Sequence, residues 1–187
     1  VYYGFNSNGI MYVDDYFDIW DSESQCSIYY RAKPDGSLYV NEWYTPEYRN
    51  PYYYGDEGKN YTGLNEVDGT LYYFDYDGES YRNRSVTTEM GELYYCDSNG
   101  KATKIEKDGW LKADGKYLYV KDEKFLKDCV EKIGDAYYGF NYNGIMYADC
   151  QFSILDSESQ RSIYYRAKAD GSLYVNEWYI PSNSYED

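Results

Sequence analysis

Thirty tyrosines, four tryptophans and no histidine set the chemistry open to this chain of 187 residues. General acid–base catalysis draws most often on histidine, and no Gly-x-Ser-x-Gly or phosphate-loop motif stands in for it. Carboxylates abound: Asp and Glu number 33 against 18 Lys and Arg, for a net charge of −15. Asp14-Asp15, Asp21 and Glu23 are acidic enough for a carboxylate pair, but they read as solvated turn charges. Asp75-Tyr-Asp-Gly-Glu79 opens like a calcium loop and lacks the remaining ligand spacing; its Asp-Gly is accounted for by a turn. Cys26, Cys96, Cys129 and Cys150 form no C-x-x-C pair, and without histidine a zinc site is not expected. No catalytic residue, metal or cofactor is assigned. What remains is aromatic surface. A flat ring stacks on a sugar while nearby Asp, Asn and Tyr hydroxyls orient it. A cage of rings holds a quaternary ammonium by cation–π attraction.

These aromatics recur in a frame. Val1-Tyr-Tyr-Gly-Phe-Asn-Ser-Asn-Gly-Ile-Met-Tyr12 returns as Ala136-Tyr-Tyr-Gly-Phe-Asn-Tyr-Asn-Gly-Ile-Met-Tyr147. Ser27 to Pro46 returns nearly unchanged as Ser162 to Pro181. The duplicated segments are 1–46 and 136–181, and more divergent copies fill 52–133. Each copy reads as an aromatic strand, an Asx-Gly or similar turn, and a second strand, because Asx-Gly supplies the positive φ that tight hairpins need. Tyr29-Tyr30 leads to Asp35-Gly36, Tyr72-Tyr73 to Asp77-Gly78, Tyr94-Tyr95 to Asn99-Gly100, and Tyr164-Tyr165 to Asp170-Gly171. The spacing predicts about eight hairpins at intervals of roughly 20–25 residues, the signature of a stacked array. The expected fold is therefore all-β, a β-solenoid of tandem hairpins, with residues 1–187 forming one continuous array.

Composition agrees with that frame. Tyrosine suits a thin structure, since its ring packs while its hydroxyl stays wet. One hairpin is marginal in water and must lean on its neighbours. Adjacent strand residues point to opposite faces, so one ring of each Tyr-Tyr pair is expected to pack and the other to face outward. Residues 121–133 admit two readings. Phe125, Leu126, Cys129, Val130 and Ile133 suit one face of a short helix, whereas the repeat frame makes Lys124 to Ile133 a second strand; the frame is preferred. Cys129 and Cys150 hold similar phases of successive hairpins, and a disulfide between them is one option. Ser182 to Asp187 is expected to fray.

The charge disfavours nucleic acid, which needs clustered Lys and Arg, and anionic membranes likewise. No apolar run reaches about 18 residues, so no membrane insertion is expected. No signal peptide is visible, and a start at Val1 in mid-pattern suggests a piece of a longer array.

Gly109-Trp-Leu-Lys-Ala-Asp-Gly-Lys-Tyr-Leu-Tyr-Val120 resembles the cell-wall-binding repeat superfamily. That superfamily includes choline-binding modules, glucan-binding repeats of glucansucrases, and repetitive oligopeptides of clostridial toxins. Asn6-Ser-Asn-Gly-Ile-Met11 and Asn141-Tyr-Asn-Gly-Ile-Met146 look like the turn and second strand of the toxin repeats. The resemblance implies a superhelix of hairpins with ligands seated between them. Carried over, Trp110, Tyr117 and Leu126 form the best site, with Tyr119 as a hydroxyl contact or a packed ring. Secondary sites pair Trp43 with Tyr53 and Trp20 with Tyr29. Trp178 matches Trp43, while Leu155 replaces Trp20 in the second copy. The implied function is non-catalytic binding outside the cell, secreted or at a bacterial surface. The partner is a glycan or a choline-bearing cell-wall polymer. Tyrosine-rich, tryptophan-poor composition favours the sugar. The alternative is a stalk or adhesin that binds a surface protein.

Overall fold

The structure, a computed structural model, describes residues 1–157 and 159–179; the tail expected to fray lies outside them. Among the described residues it is all-β, without an α-helix. In chain order the strands are β1 Tyr16–Asp21, β2 Cys26–Arg31, β3 Glu42–Tyr44, β4 Tyr52–Tyr54, β5 Gly63–Val67, β6 Thr70–Phe74, β7 Arg84–Thr87 and β8 Leu93–Cys96. There follow β9 Ala102–Ile105, β10 Gly109–Ala113, β11 Lys116–Lys121, β12 Lys124–Phe125, β13 Cys129–Ile133, β14 Ala136–Phe140, β15 Gln151–Asp156 and β16 Arg161–Arg166. The contested stretch 121–133 is extended, as the short strands β12 and β13. Asp128 takes φ 45° between them. Two compact units divide the chain: 1–83 with 94–103, and 84–93 with 104–187.

Antiparallel hairpins recur, but most of their long ladders lie elsewhere than the turn motifs predict. β5 pairs β6 around Asp68-Gly69, and β10 pairs β11 around Asp114-Gly115. Both residues of each turn have positive φ, as two-residue hairpin loops of the favoured primed type require. β13 likewise pairs forward with β14. The long ladders thus precede the tyrosine pairs. Of the Asx-Gly turns after those pairs, Asp77-Gly78 and Asn143-Gly144 close single bridges, Phe74↔Ser80 and Phe140↔Met146, whereas Asn99-Gly100 joins β8 to its sheet neighbour β9.

The reason lies in the turn itself. Asn141 Oδ1 accepts from the N–H groups of Asn143 (2.9 Å) and Ile145 (3.0 Å). The Gly144 N–H bonds back to the Asn141 carbonyl at 2.8 Å. Asn6, Asp75 and Asp97 make the same pair of side-chain bonds. Beyond the turn the chain runs back along its own strand only briefly, as where the Tyr147 N–H reaches the Gly139 carbonyl at 2.9 Å. The Met146 N–H donates instead to the Tyr117 carbonyl (2.8 Å), Leu38 to Tyr2 (2.9 Å), Ser80 to Pro51 (2.9 Å) and Leu173 to Tyr137 (2.8 Å). Each post-turn segment is shared with an earlier hairpin and ties the two together.

No single core results. In the first unit Phe17, Ala32 and Leu38 form one buried cluster, and Tyr53, Val67 and Phe74 another. Phe152, Ala167 and Leu173 repeat the first cluster in the second unit. The two copies also share a close approach: a Cβ on Gly4 would meet the Phe17 ring at 2.1 Å, and one on Gly139 the Phe152 ring at 2.1 Å. Glycine at this site lets an aromatic lie flat on the neighbouring backbone. The one-in, one-out expectation for tyrosine pairs fails at Tyr53-Tyr54 and Tyr94-Tyr95, where both rings are buried. Hairpins this thin have neighbours on both faces.

Candidate functional site

The site begins with the parity of β11. Leu118 and Val120 point to the buried side, at 0% and 1% exposure. Tyr117 and Tyr119 therefore share the opposite side. Trp110 on β10 lies directly across from Tyr119. Their ring centroids are 5.1 Å apart with planes at 80°. Tyr117 stands on the other flank of Trp110 at 6.5 Å and 85°. From the next hairpin, Tyr138 of β14 meets Trp110 edge-on at 4.9 Å, and buried Phe140 supports it at 6.1 Å.

Trp110, Tyr117, Tyr138 and Met146 line a cleft of about 540 Å³ that Ala148, Ala169 and Asp170 complete. Trp110 keeps 44% and Tyr117 39% of their surface exposed. Met146 is set by the Asn141 turn and by its N–H bond to Tyr117. Buried Ser85 anchors that turn, its hydroxyl donating to the Asn143 carbonyl at 2.7 Å. Gly144 has φ +79°, and a Cβ there would lie 2.6 Å from the Ser85 Oγ. The residue before Ile145 must therefore be glycine on both counts.

The cleft carries one anionic group and no cationic one among its lining residues. Bonds from the Ser172 hydroxyl and N–H hold the Asp170 carboxyl below its ordinary range, so it is ionised at neutral pH. Lys112 Nζ sits 5.2 Å from the centroid of the Tyr117 ring. One face of Tyr117 thus already satisfies a cation.

The other sequence candidates fall in different settings. The Leu126 N–H pairs with the Tyr119 carbonyl at 3.0 Å, and the apolar lining of the cleft comes from Met146. Trp43 and Tyr53 do meet, at 5.1 Å, directly across β3 and β4. Tyr53 is only 8% exposed, and Trp43 packs against its cluster with Tyr61 and Tyr72. Trp20 is 64% exposed opposite Ser27, whereas Tyr29 lines another cleft with Tyr16 and Arg31. Trp178 is 93% exposed. Cys129 and Cys150 are free thiols, and burial pushes the Cys129 thiol up.

Two contributors escaped the sequence reading: Tyr138 and Met146. The signal for them was the next repeat. Tyr138 belongs to the Tyr137-Tyr138 pair and Met146 follows the Asn143-Gly144 turn, so the site spans two hairpins. The same spacing describes the Trp43 cluster. Trp43 meets Tyr53, Tyr72 and Phe74 at 5.1, 5.0 and 5.9 Å, as Trp110 meets Tyr119, Tyr138 and Phe140. There, however, Pro51 stands for Tyr117 and buried Ser80 for Met146.

No family model matches the chain. Glucosyltransferase-S of Streptococcus downei is 32% identical over 77 residues, which is 41% of this chain and 6% of that protein. Glucosyltransferase-I of Streptococcus downei is 28% identical over 155 residues, 67% of this chain and 9% of that protein. The chain thus spans less than a tenth of these relatives. Among solved structures, the choline-binding domain of CbpL from Streptococcus pneumoniae is 24% identical. It covers 94% of this chain and 84% of that one, with a TM-score of 0.42. Choline binding protein F from Streptococcus pneumoniae is 17% identical, covering 92% and 54%, with a TM-score of 0.46. The chain resembles the cell-wall-binding repeat superfamily.

Proposed function

We propose that this chain is a non-catalytic glycan-binding module acting outside the cell, secreted or at a bacterial surface, and that Trp110 is the centre of its site. The observation that carries this reading is the cleft around Trp110. A large exposed indole is braced edge-on by three aromatic neighbours and faces a space of about 540 Å³. That volume falls in the range of small-molecule sites and holds a sugar with room to spare. Trp110 offers the stacking face, Tyr117 and Tyr138 offer hydroxyls, and Asp170 offers an acceptor for sugar hydroxyls. The matches to two glucosyltransferases suit a glucan ligand. Trp20 and Trp178 have the exposure for secondary contacts, whereas Trp43 and Tyr53 pack together in a buried cluster and Tyr29 lines a separate cleft. Leu126 supports the main site through Tyr119.

The array behind the site is proposed to be a single β-solenoid of about eight hairpins, because the same kind of post-turn bond ties one hairpin to an earlier one at Leu38, Ser80, Met146 and Leu173.

A choline-type ligand is the second reading. The absence of Lys and Arg from the lining residues, the Met146 thioether and the ionised Asp170 favour it. Isothermal titration with an α-glucan oligosaccharide and, separately, with choline decides between them. Binding of the oligosaccharide alone establishes the glycan reading, and binding of choline alone replaces it. Failure of both, with capture of a surface protein, turns the module into an adhesin.

A further inference from the structure

The first unit holds a cleft of a different kind. Its volume is about 500 Å³, and its walls include Tyr16, Tyr29, Tyr44, Tyr52 and Tyr54 together with Arg31, Arg49 and Asp77. Two guanidinium groups in one aromatic cleft are conspicuous in a chain with net charge −15. We infer that this cleft is a second ligand site, selective for a sugar that carries a carboxylate or phosphate group.

The two arginines have different duties. Arg31 is largely buried: it lies 4.8 Å over the Tyr44 ring and pairs with Asp14 Oδ1 at 2.8 Å. The second copy of the duplicated segment repeats this brace, with Arg166 at 4.5 Å from the Tyr179 ring and 3.4 Å from Asp149. A feature kept in both copies holds the fold. Arg49 is different. It is 61% exposed, and its Nη1 donates to the Tyr52 hydroxyl at 3.0 Å. Its carboxylate partner, Glu79, is 3.8 Å away. A pair this long with an exposed arginine contributes little, and Glu79 keeps its bonds from Asn50, so an incoming anion displaces it from Arg49 at small cost. Within the duplicated segment Gln151 stands where the first copy has Tyr16, and Arg49 lies just past the end of the first copy. The duplication therefore separates the repeated brace from Tyr16, which the second copy lacks.

The remaining walls suit a saccharide ring. Tyrosines present apolar faces with hydroxyl donors at their rims. Burial pushes the Tyr52 and Tyr54 phenols up, so both stay protonated donors at neutral pH. Arg49, held at the rim by Tyr52, supplies the planar fork that matches a carboxylate or phosphate with two parallel bonds. A quaternary ammonium would meet both guanidiniums and is disfavoured.

The site differs from the Trp110 cleft in location, charge and predicted ligand, so the two stand or fall separately. Calorimetric titration of the full chain would use three probes: a glucuronate-bearing disaccharide, its carboxyl-reduced neutral form, and glucose 6-phosphate. Expected are binding of the acid, the phosphate or both, and weakening of about tenfold or more for the neutral sugar, the loss typical of a charge-assisted bond. Whichever anion binds more tightly identifies the source of the negative group. Arg49→Gln should weaken anion binding by a similar factor, Asp77→Asn should strengthen it, and Trp110→Ala should leave it unchanged. Circular dichroism verifies that each variant folds. Equal binding of the reduced sugar, unchanged binding by a folded Arg49→Gln variant, or no binding of either anion overturns the assignment.

Discussion

Trp110 and Tyr119 face each other across one antiparallel pair, 5.1 Å between ring centroids and 80° between planes. Trp43 and Tyr53 do the same at 5.1 Å and 64°. The first pair opens onto a cleft and the second is sealed, and the difference lies in what the next repeat delivers. Trp110→Ala should therefore weaken ligand binding by ten- to hundredfold, about 1–3 kcal/mol by analogy with base–aromatic stacking, with a small change in melting temperature. Trp43→Ala should instead destabilise the fold by about 3 kcal/mol, as loss of a packed tryptophan does. Paired titration and thermal melts read both numbers. A folded Trp110→Ala variant that binds like the parent would make Trp110 a seam residue.

The Asn141 side chain holds the turn that presents Met146. Asn141→Ala removes two acceptor bonds and should cost about 1 kcal/mol in stability. It should also loosen the cleft wall and weaken binding. Hydrogen exchange at Asn143 and Ile145 is the direct measurement, since both N–H groups lose their side-chain acceptor.

Gly139 and Phe152 test the packing between neighbouring hairpins. Gly139→Ala should destabilise the protein by about 1–3 kcal/mol through overpacking. Adding Phe152→Leu should recover part of that loss, because the clashing ring atoms are gone. A double-mutant cycle measures the coupling, and full additivity would contradict a direct contact.

Asp75 carries a carboxyl raised by burial, with Glu79 and Asp77 adding repulsion. A raised carboxyl releases its proton later in the fold than in the unfolded chain, so near-neutral pH disfavours the folded state at this position. The corresponding turn in the second unit has Asn141. Asp75→Asn keeps the accepting oxygen and should raise the melting temperature at pH 7, with a smaller gain at pH 3. A decrease at pH 7 would show that the charge itself stabilises the turn.

Tyr54 sets an alkaline limit. Burial pushes its phenol far above the ordinary tyrosine value, opposed in part by Arg31. The unfolded chain ionises first, so this contribution is complete below about pH 10 and falls as pH rises beyond it. Tyrosinate absorbance and circular dichroism, followed together, should show the last tyrosines ionising with unfolding. Tyr54→Phe should shift that transition upward.

The sequence reading reached the strand content and the centre of the main cleft because both are local. Asx-Gly turns and alternating aromatics reveal strands, and Gly109-Trp110 with Tyr117 and Tyr119 fall on one hairpin. It placed β8 and β9 around Asn99-Gly100 but set most of the long ladders one step late, since Asp68-Gly69 and Asp114-Gly115 announce tight turns no more loudly than Asp77-Gly78 does. The difference is made by Asx side chains that bend five residues and by N–H groups claimed by an earlier hairpin. Leu126 was expected where Met146 sits for the same reason: the residue that completes the cleft arrives from the following repeat. Composition said nothing of the Tyr16–Arg49 cleft, whose residues come from several hairpins.

The bonds from Leu38 to Tyr2, Ser80 to Pro51 and Met146 to Tyr117 each join residues 29 to 36 apart. Contacts of such short reach cost little loop entropy and let assembly proceed from one repeat to the next. Within each unit, a chain threaded end first through a narrow pore would zip up in the order of its emergence, and a pull on one end would peel it hairpin by hairpin instead of all at once.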